Sequence, residues 1–95
     1  MRFEWDERKN RINLQKHSIR FELATEAFSD PFRLTITDRT VETEERFWTI
    51  GRLGNLAIVV VVHANRNEKD EEVIRIISAR KATPRERRTY EETDS

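Results

Sequence analysis

The stretch LAIVVVVHAN, Leu56 to Asn65, constrains the fold more than any other part of this chain. Five β-branched residues stand in succession from Ile58 to Val62, bounded by polar segments. Such side chains lose rotamer freedom in a helix and pack well on a pleated surface. Successive strand residues point to opposite faces, so an unbroken apolar run predicts a central strand buried on both.

The remaining segments supply neighbours for that strand. Alternation from Arg2 to Trp5 predicts a short first strand. Asp6 stands where a helix cap would, before the helix-forming run ERKNRINLQKH that ends at His17. In FELATEAFSDP, Phe21, Ala24 and Phe28 recur at helical spacing, and Pro31 stops the element at Asp30. RLTIT and ERFWTIGRL read as strands around a polar turn, DRTVETEE, with a second turn at Gly54 and Asn55. RNEKDEE reads as an exposed turn and EVIRIISA as the last strand. Thr83-Pro84-Arg85-Glu86 then combines a capping box with proline at the first helical position, which opens a third helix. The expected fold is α+β, in the order β-α-α-β-β-β-β-α, as one domain over residues 1–95. Two N-terminal helices lie on one face of an antiparallel sheet, leaving the opposite face free for polar groups.

Composition narrows the chemistry. There is no cysteine, and the two histidines, His17 and His63, are far apart, so neither a disulfide framework nor a metal centre is indicated. No long apolar segment or signal peptide is legible, which makes the cytoplasm the expected location and a membrane an unexpected partner. With 36% apolar and 38% charged residues, one compact core is all that 95 residues can build. Net charge is zero, which by itself argues against nucleic-acid binding. The distribution is uneven, however. Six bases face only Glu86 between Arg75 and Tyr90, whereas seven acids face three bases between Glu22 and Arg46. Such polarity offers one site for a polyanion and another for a basic protein.

Arg75 is the least expected residue, because it interrupts an apolar strand; it binds an anion or forms a structural pair with a glutamate near the second strand. Arg52 and His63 fall at strand ends, and Glu86, Arg87 and Tyr90 lie within one turn of the third helix. Should that helix fold back, Arg80, Arg87 and Tyr90 would share a cleft with Arg75 and His63. Metal-free RNA cleavage needs proton-transfer groups and cations around the phosphate. His63 or Glu86 could supply the first, and Arg52, Arg75 and Arg80 the second. The bland alternative for His63 is a packing residue, and for His17 a partner of its helix dipole.

Four blocks in order, FEWDERKNRINLQKHSIRFELATEAFSDP, ERFWTIGR, VVVH and RIISARKATPRERRTYEE, resemble the BrnT family of type II toxin–antitoxin ribonucleases over nearly the whole chain. The resemblance implies a RelE-like fold, RNA cleavage that arrests growth, and no cofactor. It also implies a BrnA-type antitoxin, in a heterotetramer of two toxins and two antitoxins that reaches operator DNA only through the antitoxin. Ser18 departs from the glycine common at that position. Position and chemistry together nominate His63, Arg75, Arg80, Glu86 and Tyr90 as catalytic, and Arg52, Lys81 and Arg87 as RNA-binding. The antitoxin contact falls on the acidic band between Glu22 and Glu45 or on aromatics such as Trp5 or Phe32. A non-catalytic binding module, or an inactive homologue within the repressor complex, is the alternative function.

Overall fold

The computed structural model describes residues 1–41 and 44–94. Strand β1 is Arg2–Glu4 and helix α1 Glu7–His17; helix α2, Phe21–Ala24, continues as a 3₁₀ turn over Thr25–Ser29. Strands β2 (Leu34–Val41), β3 (Glu44–Leu53), β4 (Ala57–Glu68) and β5 (Glu71–Lys81) follow, and helix α3 (Pro84–Asp94) closes the chain.

The strands form one sheet in the order β1-β5-β4-β3-β2, which puts the β-branched run at the centre. Val59, Val60 and Val61 are all 0% exposed, so both faces of β4 are buried. The sheet is mixed rather than antiparallel, because β1 pairs in parallel with β5. α1 and α2 lie between β1 and the hairpin strands in sequence and provide the long connection that parallel pairing requires.

Two layers cover the sheet. On one face Ile19, Phe21, Ala24 and Phe28 pack against Val59, Val61, Ile74 and Ile76. The opposite face is not left free for polar groups: α3 brings Tyr90 onto Ile50 and Val60, with Trp48 and Ile58 around them. Gly51 permits the first layer to close, since a Cβ there would meet the Ala27 carbonyl oxygen at 2.7 Å.

The expected exposed turn over residues 66–72 contracts to Lys69 and Asp70. Both adopt left-handed backbone (φ 51° and 65°), which matches the twist of a two-residue hairpin without glycine. The strands flanking it are laced by charges: Arg66 pairs with Glu4 and Glu68, and Arg2 with Glu68 and Glu71. The expected polar turn over residues 38–45 is also shorter, with pairing of β2 and β3 running from Leu34↔Ile50 to Val41↔Glu44. Residues 42 and 43 of that stretch lie outside the described residues.

α1 is held at three points. Asp6 caps it by accepting from the Arg8 and Lys9 N–H groups at 2.8 and 3.4 Å. The Asn10 amide accepts from the Phe21 N–H at 2.9 Å and donates to Glu7 and Glu22. Asn13 does more. β1 covers β5 only as far as Arg75, leaving the backbone edge beyond it open. The Asn13 amide fills that place, accepting from the Ala79 N–H at 3.0 Å and donating to the Ala79 carbonyl at 2.9 Å and to Ile19 O at 3.0 Å. At the end of α1, Ser18 takes the left-handed conformation (φ 60°) and donates its N–H to Leu14 O.

Asn13→Ala should therefore lower stability by about 2–4 kcal/mol, because it leaves buried backbone groups unpaired. Ser18→Gly should raise it by about 0.5–1 kcal/mol by relieving the left-handed cost. Urea unfolding followed by circular dichroism measures both.

Candidate nucleic-acid interface

The open edge of β5 leads to a basic cleft. Lys16 and His17 occupy the last turn of α1, where positive charge is favoured by the helix dipole and by the orphan carbonyls. Ser18 turns the chain away there. Arg80 and Lys81 end β5, and Thr83 caps α3. These six residues line a cleft of about 470 Å³ between the end of α1 and the start of α3.

Backbone geometry adds a donor. The Ala79 N–H faces outward to Asn13, whereas the Ala82 N–H faces inward to Ile58 O at 2.9 Å. Alternation along the strand turns the Lys81 N–H outward as well, to the side of the cleft. Lys16 and Lys81 are exposed, and among the described residues neither forms an ion pair. Backbone N–H and free ammonium groups together are anion-binding chemistry.

Arg80 has a different position. Its guanidinium makes a forked pair with Glu86 at 2.7 and 2.9 Å, donates to Lys81 O at 3.3 Å and lies 5.3 Å over the Trp48 ring. Glu86 in turn accepts from the Thr83 N–H at 2.8 Å, and its own N–H donates to Thr83 Oγ1 at 3.2 Å, which completes the expected capping box. The Arg80 hydrogen bonds and charge, helped by Thr83 and opposed by burial, hold the Glu86 carboxyl at about 2. The same pairing raises the Arg80 pKa.

The other nominated residues are dispersed. His63 lies in the layer of α2, not in the α3 cleft, and is 1% exposed. Its ring stacks on Phe47 and meets Phe28 edge-on. Nδ1 contacts Asn65 Oδ1 and Nε2 contacts Thr49 Oγ1, both at 2.7 Å, while the Thr49 hydroxyl is 2.9 Å from that of Thr35. Burial lowers the His63 pKa despite the bond to Asn65. The packing alternative describes its position. Arg75 forms an ion pair with Glu44, the structural alternative for that residue, and stands five residues along β5 from Arg80, roughly 16 Å.

Tyr90 is buried against the sheet, so Glu86, Arg87 and Tyr90 do not form one polar cluster. The Tyr90 hydroxyl donates to Asp30 Oδ2 at 2.5 Å, and Asp30 also accepts from the Arg52 and Phe32 N–H groups at 2.9 Å. Burial, then the Asp30 bond, raises the Tyr90 pKa; burial would also raise that of Asp30, but its three hydrogen bonds outweigh it and lower it. The Arg52 guanidinium lies 5.7 Å over the Tyr90 ring and borders a separate cleft of about 350 Å³ with Glu26 and Ser29. Arg87 is exposed, 3.9 Å from Glu91. Of the aromatics, Trp5 is half-buried on Phe21, and Phe32 is 52% exposed.

Thus Arg80, Lys81 and Glu86 share the cleft region, whereas His63, Arg75, Tyr90, Arg52 and Arg87 stand outside it. Lys16 and His17 complete it. Their only sequence signal was a basic pair beside a predicted helix end, which the dipole explains equally well.

Glu86 stabilises the folded state while ionised, and because its folded pKa is depressed, this contribution is present above the ordinary carboxylate range. It should be lost as pH falls from about 4.5 towards 2. Glu86→Gln should remove that part of the acid dependence, as measured by thermal unfolding across the range.

A family profile described as "Ribonuclease toxin, BrnT, of type II toxin-antitoxin system" matches residues 5–86. Among solved structures, the chain is similar to the Brucella abortus ribonuclease toxin, BrnT, at 27% identity and a TM-score of 0.62, covering 87% of this chain and 97% of that one. The search of curated proteins finds no match.

Proposed function

Because the chain belongs to the BrnT family of ribonuclease toxins of type II toxin–antitoxin systems, we propose that it cleaves RNA held in the Lys16–Arg80–Lys81 cleft, with His17 moving the proton. The observation that carries this reading is an exposed imidazole sharing a cleft with free ammonium groups and an outward backbone N–H. In the reaction, the ribose 2′-oxygen attacks the adjacent phosphorus and the bond to the 5′-oxygen breaks. The 2′-hydroxyl proton leaves to a base, and the departing oxygen gains one. Imidazole can serve either transfer near neutral pH. Lys16, Lys81 and the Lys81 N–H then face the charge that develops on the phosphoryl oxygens.

Glu86 is a weak base at about 2 and fits a positioning role instead, fixing the Arg80 fork. His63 and Tyr90 are buried and serve the core in this reading. The cleft's cations repel a divalent ion and stabilise a phosphorane themselves, which favours a metal-independent reaction.

Type II membership implies an antitoxin protein. In this reading it is of the BrnA type, pairs two copies with two toxins, contacts operator DNA itself and prevents growth arrest. The exposed Phe32, within the acidic band between Glu22 and Glu45, suits a contact with its apolar and basic side chains. Substrate transcripts place the reaction in the cytoplasm. Among the described residues no helix is long and apolar enough to cross a membrane.

Purified protein acting on single-stranded RNA in the presence of a chelator tests the proposal. His17→Gln should slow cleavage by about 100-fold or more, and Lys81→Ala by about tenfold. Arg75→Ala should stay within about threefold, with circular dichroism confirming that each variant folds. Undiminished cleavage by His17→Gln would remove the imidazole from the mechanism, and abolition by the chelator would remove metal independence. Growth arrest without RNA cleavage would instead support the non-catalytic module.

A further inference from the structure

A second depression adjoins the basic cleft and has the opposite character. It occupies about 210 Å³ between the α1–α2 link and the β3–β4 hairpin. Ile19 and Leu23 form one wall, Leu56 and Ala57 the other, and the buried side chains of Leu53 and Val59 form the floor. Ser18 and Lys81 border both this groove and the basic cleft, so the two adjoin. A ligand that crosses from one to the other passes from cations and N–H donors to aliphatic carbon.

Such a ligand must present an anion and an apolar group close together. A nucleotide does, with phosphate and base joined through one ribose. We infer that the groove receives the nucleobase of the nucleotide whose phosphate lies among Lys16, Arg80 and Lys81, which makes Leu56 and Ala57 specificity-determining residues. This inference rests on the ribonuclease reading.

The size agrees. At roughly 30 Å³ per water, the groove holds about seven waters, the scale of one heterocyclic ring system. Its walls lack aromatic groups, so the base would gain by leaving water against aliphatic carbon rather than by ring stacking. Leu56 is 79% exposed, and a base lying in the groove would cover it. A protein side chain could enter the groove too, but it would have no need of the adjoining cations. The anion cleft across Ser18 and Lys81 favours the nucleotide.

The test uses short 2′-O-methylated RNA probes, which lack the attacking hydroxyl and cannot be cut, with a single abasic residue moved along the strand. Binding is followed by fluorescence anisotropy. Removing the base at one position should weaken binding by about tenfold, and at the others by little. Ala57→Phe, which fills the groove, should bind intact and abasic probes alike. Leu56→Ala, altered at an exposed position that does not disturb folding, should narrow the gap to about threefold.

Equal binding of every abasic probe, or full discrimination by Ala57→Phe and Leu56→Ala, overturns the inference. So does loss of antitoxin binding by these variants with the probe series unchanged, which would assign the groove to protein. Failure of the unmodified protein to bind any probe overturns the RNA reading together with it. Binding without base discrimination leaves that reading in place and removes only the groove.

Discussion

The contact on which the rest depends is the Asn13 amide against the backbone of Ala79. A strand edge exposes paired donors and acceptors that demand partners, and here β1 is too short to supply them along the whole of β5. One carboxamide presents both groups with the spacing of a neighbouring strand. It fixes α1 in register with β5, and the same register carries Lys16 and His17 to the level of Arg80 and Lys81. A helix free to slide by one turn would move them about 5 Å, enough to dissolve the cleft. The helix dipole then adds its preference for cations at that end.

The charges divide into two groups with different consequences. Arg2, Arg66, Arg75 and Arg80 each have a glutamate, and these pairs hold strands and a helix cap in place. Guanidinium suits this work because its fork matches a carboxylate. The lysines of the cleft have no such partner among the described residues. A protein of zero net charge can therefore still offer a local anion site, because its charges are unevenly distributed.

The expectation that failed most clearly treated every basic residue near the C-terminus as one population. Sequence spacing tells which residues share a strand face or a helix turn, and on those terms the Asp6 cap and the Thr83–Glu86 box were both legible. Sheet order was not. β1 beside β5 follows from where α1 and α2 carry the chain, and no local pattern in RFEW declares it parallel. His63 was misplaced for a related reason. It shares its face of β4 with Val59 and Val61, as alternation has it, but that face is covered by α2 and the other by α3, which no spacing declares. Lys16 and His17 were visible as a basic pair, but their convergence on β5 is a tertiary fact, carried by a buried asparagine that reads from sequence as one more polar helix residue.

Among the described residues the cleft itself holds few free cations, which has a consequence for recognition. Each phosphate neutralised on a single strand contributes a limited, salt-sensitive increment of affinity, and a site with two unpaired lysines and one partly neutralised arginine engages few phosphates. Charge alone would then hold RNA weakly and without preference. Apolar contact is short-ranged and little affected by salt, so an aliphatic groove beside the cation cleft would, on the proposed reading, add the kind of interaction that the electrostatics lack. Ser18 stands at the junction of the two, in a left-handed conformation that serine adopts at some cost. That single backbone turn ends α1 where its carbonyls and basic side chains meet the cleft, and sends the chain on to Ile19, the first wall of the groove.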